Sequence, residues 1–138
     1  ESCPGEPRLW WDGAHNPAGV ARLVHAWRED LRFEPPAAIV VALSRDKDAA
    51  AMVVPLAAFA PGAALIATRT RNPRALEAQV IADHARAVGL AAEVAPDVAA
   101  AARRALDRAA PGRALLMGSL FAVGEAMEAL GGAPGELQ

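Results

Sequence analysis

The chain predicts an α/β domain built on a mainly parallel sheet. Short apolar runs alternate with longer amphipathic ones, the pattern of successive β-α-β units. The run Ile39-Val40-Val41 has no polar alternation, as expected of a strand covered on both faces. Capping residues stand at the strand-to-helix joints, with Asn16 before Pro17 and with Asp48, Asp97 and Ser119 further on.

Arg8 to Asp12 reads as a strand holding the apolar stretch Leu9-Trp10-Trp11. Trp10 and Trp11 then face opposite sides of the sheet, where both serve core packing. Asn16 caps a helix from Pro17 to about Asp30, since proline is tolerated at the first helical position. Val20, Leu23, Val24 and Trp27 fall at helical spacing on its buried face. Ala37 to Leu43 is the next strand. Asp48 caps a helix over Ala49 to Phe59, and Pro55 within it predicts a kink or an early end.

Pro61-Gly62 turns the chain into a strand from Ala64 to Thr68. After a loop at Thr70–Pro73, a helix is expected over Ala75 to Val88, stopped by Gly89. Leu90 to Val94 is a short strand, and Asp97 starts an alanine-rich helix that reaches about Ala109. Pro111-Gly112 breaks it before a strand at Arg113 to Met117. Ser119 opens a final helix ending near Gly131-Gly132. The domain is thus expected over residues 1–132, with 133–138 as a loose tail.

Bulk properties narrow the function. The 138 residues suit one domain, and 54% hydrophobic content supports a full core without disulfides. A net charge of -2 gives no electrostatic footprint for nucleic acid. No apolar run approaches the roughly 20 residues needed to span a bilayer, and no secretory signal opens the chain. The single cysteine, Cys3, excludes an internal disulfide framework and fits the cytoplasm. The chain starts at Glu1 without a methionine and is expected to be a piece of a longer protein.

The candidate functional residues gather at strand-to-helix turns, where open α/β sheets carry their chemistry. Asp12-Gly13-Ala14-His15-Asn16-Pro17 puts a carboxylate, an imidazole and a helix amino terminus within six residues. Asp12 can accept hydrogen bonds from ribose hydroxyls, although an Asx-turn or a helix cap is the commoner job for such an aspartate. A neutral His15 can donate one hydrogen bond and accept another, or else pack against the turn. Gly13 and Asn16 shape the loop.

Lys47, the only lysine, lies in Asp46-Lys47-Asp48. It is either a specific ammonium contact or part of a solvated loop. Ser119 is an N-cap at a helix start of the kind that binds carboxylates. Arg69, Arg71 and Arg74 could form an anion patch, but a solvated loop is the better reading. His25 and His84 have no recognisable partners. No His or Cys spacing suits zinc, and no metal site is expected.

Three motifs in order carry a resemblance: Asp12-Gly13-Ala14-His15-Asn16-Pro17, Asp46-Lys47-Asp48, and Gly118-Ser119-Leu120-Phe121 running into Val123-Gly124-Glu125. Together they resemble the folylpolyglutamate synthase/dihydrofolate synthase family, relatives of the Mur peptide ligases. The likeness spans nearly the whole chain and corresponds to the family's carboxy-terminal domain. It implies a three-layer, Rossmann-like α/β/α fold with six strands. The first strand, Glu1 to Cys3, would be antiparallel and turned by Pro4-Gly5.

The resemblance also implies an ATP-dependent ligase that joins L-glutamate to folate or dihydropteroate through an acyl phosphate. Asp12 would contact the ATP ribose, and His15, Lys47 and Ser119 the glutamate. None of them is expected to be catalytic. ATP and Mg2+ would be held mainly by a preceding P-loop domain. No G-x-x-x-x-G-K-[ST] occurs here, so that domain is the expected partner, the parent is expected to be a monomer, and the fragment alone is expected to be inactive.

Glu1 falls at the spacing of a glutamate at the family's domain border, whereas Met127 departs from a common arginine. The competing readings are another Mur-type amino-acid ligase and a free-standing α/β binding module without catalysis. A flavodoxin-like nucleotide binder is disfavoured, because the first loop is not glycine-rich.

Overall fold

The structure, a computed structural model, describes residues 1–130. The strands are β1 (Ser2–Cys3), β2 (Glu6–Asp12), β3 (Ala38–Val41), β4 (Ala64–Ala67), β5 (Ala91–Val94) and β6 (Ala114–Met117). The helices are α1 (Pro17–His25), α2 (Ala49–Phe59), α3 (Ala78–Ala87), α4 (Val98–Ala109) and α5 (Leu120–Ala129). The strands form one sheet in the order β1-β2-β6-β3-β4-β5. Only β1 and β2 pair antiparallel, and the other neighbours are parallel.

Alternation along the buried strands builds two cores. Ile39, Val41 and Leu43 face a layer made by α1, α2 and α3, with Leu23, Trp27, Leu56, Phe59 and Ile81. Ala38, Val40 and Ala42 face α4 and α5, with Val98, Ala102, Ala105, Ala122 and Met127. This is the three-layer α/β/α arrangement. Trp10 packs into the first core and Trp11 against the second, as the strand parity predicts.

The first core is stapled by aromatic edges. The Trp27 ring centroid lies 6.3 Å from Trp10, 5.4 Å from Phe33 and 6.2 Å from Phe59, all T-shaped. The buried indole of Trp27 donates to the Glu34 carbonyl at 2.8 Å. The second core is built largely of alanine, which brings α4 close to the sheet.

Among the differences from the sequence expectation, four have a local reason. The helix expected to run to Asp30 is α-helical only to His25. Ala26–Asp30 widens into a π turn, closed by Leu31 N–H donating to the Ala26 carbonyl at 2.9 Å. Pro55 does not end α2 early, because Val53, Leu56 and Phe59 on both sides of it are buried. The third helix begins at Ala78 rather than Ala75. Residues 74–76 instead pair with the end of β3, Arg45 N–H donating to the Arg74 carbonyl and Leu76 N–H to the Leu43 carbonyl, both at 2.8 Å. β2 starts two residues early, at Glu6, where the chain already pairs with β1. The expected end of the last helix near Gly131-Gly132, and the tail 133–138, lie outside the described residues.

The connectivity decides where the site sits. From β2 the chain steps outward through β3, β4 and β5, then returns to insert β6 between β2 and β3. Helices α1 and α2, which follow β2 and β3, lie on one face, whereas α5, which follows β6, lies on the other. Neighbouring loops therefore diverge at the carboxyl ends of β2, β6 and β3 and leave a crevice.

Candidate functional site

Two clefts open at this crevice. The first, of about 360 Å³, runs along α1 and is lined by Asp12, Gly13, Ala14, His15, Asn16, Gly19, Arg22, Leu23 and Ala26. The second, of about 250 Å³, lies over the junction of β2, β6 and β3 and is lined by Gly13, His15, Ser44, Lys47, Gly118, Ser119, Leu120 and Phe121. Gly13 and His15 belong to both.

Local hydrogen bonds set the first cleft. Asp12 Oδ1 accepts from Ala14 N–H at 2.7 Å, closing an Asx-turn. That leaves the other carboxylate oxygen free of hydrogen bonds among the described residues. Asn16 Oδ1 caps α1 by accepting from Gly19 N–H at 2.7 Å, and Pro17 begins the helix. Asp12 thus fulfils its structural role through one oxygen and can offer the second to a hydroxyl pair. The lone carboxylate, the open backbone turn and the apolar wall of Leu23 and Ala26 suit a sugar and the flat group attached to it.

The second cleft is assembled from three loops. His15 is exposed, and its Nδ1 lies 3.0 Å from the Gly13 carbonyl. A carbonyl only accepts, so Nδ1 is the donor in this contact, and Nε2 is left for another partner. Lys47 is half-buried, with Nζ 3.8 Å from Asp46 Oδ2, a loose pair that leaves the ammonium able to engage a second anion. Ser119 caps α5, its Oγ accepting from Phe121 N–H at 3.1 Å, and its own O–H remains available to donate. An ammonium, a hydroxyl and the amino terminus of a ten-residue helix together favour a carboxylate.

Two glycines permit the close approach of these loops. A Cβ on Gly13 would come within 2.9 Å of Leu120 Cδ2. Gly118 has φ +104°, and a Cβ there would run into the Ala42 carbonyl. Leu120 and Phe121, 67% and 61% exposed, form an apolar lip beside Ser119.

The structure brings His15, Lys47 and Ser119 around one cleft and places Asp12 in the adjoining one, with Gly13 between them. Asn16 acts through its cap. The arginines of the β4–α3 loop do not form an open anion patch. Arg69 pairs with Glu77 at 2.7 Å, and Arg71 Nη2 pairs with Glu128 at 2.8 Å, while Arg71 N–H donates to Glu125 at 3.0 Å. His25 and His84, on α1 and α3, line neither cleft. Among the described residues no group of three His, Cys, Asp or Glu side chains could hold a metal ion, and no helix is long and apolar enough to cross a membrane.

Two lining residues escape motif reading. Arg22 belongs to the stripe Gly19, Arg22, Leu23, Ala26, whose helical spacing marks one face of α1. Ser44 is next to the Asp-Lys-Asp motif and continues the strand parity of Ala42.

A doubly wound α/β domain with a cleft at its switch point is the class this fold and site define. Residues 3–120 match the Mur ligase, glutamate ligase domain, and the chain belongs to that family. Among solved structures it is similar to a bifunctional folylpolyglutamate synthase/dihydrofolate synthase from Yersinia pestis, with 27% identity and TM-score 0.72, covering 87% of this chain and 27% of that one. It shares its fold with Mycobacterium tuberculosis folylpolyglutamate synthase complexed with ADP and AMPPCP, with 24% identity and TM-score 0.72, covering 89% and 29%. It shares it also with E. coli FolC in complex with DHPP and ADP, with 22% identity and TM-score 0.75, covering 95% and 30%. The chain therefore spans under a third of the length of these proteins. No curated protein matches.

Proposed function

We propose that this domain is the amino-acid-adding part of an ATP-dependent ligase that joins L-glutamate to folate and/or dihydropteroate. The observation that carries the reading is the convergence of His15, Lys47 and Ser119 on one cleft, beside a carboxylate suited to a ribose. In this reading the acceptor's carboxylate oxygen bonds to the terminal phosphorus of ATP and ADP leaves. The glutamate nitrogen then bonds to the resulting acyl carbon, phosphate departs with the C–O electron pair, and the nitrogen gives up a proton.

The domain's part is positioning. Asp12 holds the ribose through its free oxygen. Lys47, Ser119 and the α5 amino terminus hold glutamate, and His15 stands beside it in the same cleft. Gly13 and Asn16 keep the loop between the clefts in shape. Mg2+, when bound, would offset phosphate charge. The donors described here do not gather around a metal, so the reading assigns the ion and most phosphate contacts to a preceding P-loop domain. That domain is the proposed partner, in a cytoplasmic monomeric enzyme.

The test is incorporation of radiolabelled L-glutamate by the intact ligase, with dihydropteroate and tetrahydrofolate as separate acceptors. Use of either supports the reading. Failure with both, together with use of a different acid acceptor, replaces it with another Mur-type ligase. The 138-residue chain alone is expected to show no folate-dependent ATP hydrolysis.

A further inference from the structure

We infer that Ser44 is an additional contact for a carboxylate of the incoming amino acid, its hydroxyl donating a hydrogen bond beside Lys47 and Ser119. The inference rests on the proposed amino-acid cleft and extends it to a residue outside the three motifs.

Three observations support it. Ser44 is half-buried and lines the same cleft of about 250 Å³ as Lys47, Gly118 and Ser119. Its hydroxyl makes no hydrogen bond among the described residues, whereas the Ser119 hydroxyl is partly engaged by capping α5. Ser44 also follows Ala38, Val40 and Ala42, the residues facing the α4–α5 layer, at two-residue spacing, and shares the cleft with Ser119 and Leu120 at the start of α5.

Its backbone is fixed on both sides. Leu76 N–H donates to the Leu43 carbonyl and Arg45 N–H to the Arg74 carbonyl, both at 2.8 Å, while the Ser44 carbonyl accepts from Lys47 N–H at 3.1 Å. The clamping segment at 74–76 belongs to the loop that Arg71 ties to Glu125 and Glu128 of α5. Ser44, Lys47 and Ser119 thus sit on loops tied to one another by hydrogen bonds and ion pairs. With the backbone at Ser44 already held, binding an anion has only the hydroxyl's own rotation to order.

The experiment is steady-state kinetics of the intact ligase as wild type, Ser44→Ala and Ser44→Thr, with L-glutamate varied and ATP varied in separate series. Loss of one charge-assisted hydrogen bond predicts that Ser44→Ala raises the KM for glutamate about tenfold. The KM for ATP should move less than twofold. Ser44→Thr, which keeps the hydroxyl, should recover most of the loss. An unchanged glutamate KM in Ser44→Ala overturns the inference, as does a parallel rise in both KM values, which marks a general loss of structure. If the wild type uses a different amino acid, the glutamate reading fails by itself, and the same comparison with that amino acid decides the role of Ser44. Absence of any saturable amino-acid substrate overturns both.

Discussion

The cleft along α1 is made from one continuous stretch of chain, Asp12 to Ala26, whereas the cleft over β2, β6 and β3 is gathered from three stretches far apart in sequence. The first is stabilised by contacts two or three residues apart, namely the Asp12 Asx-turn and the Asn16 cap. The second exists only because β6 returns to lie between β2 and β3 and because Gly118 lets its loop turn against Ala42. The two should therefore break in different ways: the first by local changes of modest cost, the second by changes to tertiary packing.

The largest expected effect lies in the gathered cleft. Gly118→Ala puts a Cβ at positive φ and against a backbone carbonyl, and should cost about 3 kcal/mol in urea unfolding. A cost below about 0.5 kcal/mol would mean that the loop relaxes freely.

Next is Asp12, where two substitutions separate structure from binding. Asp12→Asn keeps an oxygen for the Ala14 N–H but removes the charge, so folding stability should barely change. In the intact ligase the KM for ATP should rise about tenfold. Asp12→Ala should add an unfolding cost of about 1 kcal/mol. Equal stability losses in the two variants would show that the turn needs the charge.

The same contrast explains what was legible in the sequence. The continuous cleft could be read directly: Asp12 ends an apolar strand, Asn16-Pro17 announces a helix, and helical spacing alone would have added Arg22. The gathered cleft could not, since nothing near Lys47 or Ser119 states that β6 lies between β2 and β3. Their association rested on motif resemblance, and Ser44, outside the motifs, was missed. The β-α-β order was legible because short apolar runs alternate with helical stretches, four of which open on a capping side chain, Asn16, Asp48, Asp97 or Ser119. A boundary failed where tertiary contacts override local preference, at Ala75-Leu76, drawn into pairing just beyond β3, whereas α2 keeps its expected bounds across Pro55, with Leu56 and Phe59 in the core.

A smaller local effect is expected at the cap. Asn16→Ala removes the acceptor for Gly19 N–H and should cost about 1 kcal/mol in the same unfolding measurement. A control away from both clefts is Cys3. Burial, and secondarily the charge of Glu6, raise its thiol pKa above the ordinary value. The native protein binds this proton more tightly than the unfolded chain does, so the Cys3 contribution is intact at neutral pH and declines as pH rises past about 8.5. Alkylation by iodoacetamide at pH 8 should be much slower in the folded protein than in urea. Equal rates would place the thiol in solvent.

The most direct test of the division between the clefts is kinetics of the intact ligase carrying His15→Ala, Ser119→Ala or Asp12→Asn, with glutamate and ATP varied separately. Ser119→Ala and His15→Ala should raise chiefly the KM for glutamate, and Asp12→Asn chiefly the KM for ATP. The reverse pattern, or equal changes in both constants for all three variants, would contradict the assignment of one cleft to each substrate.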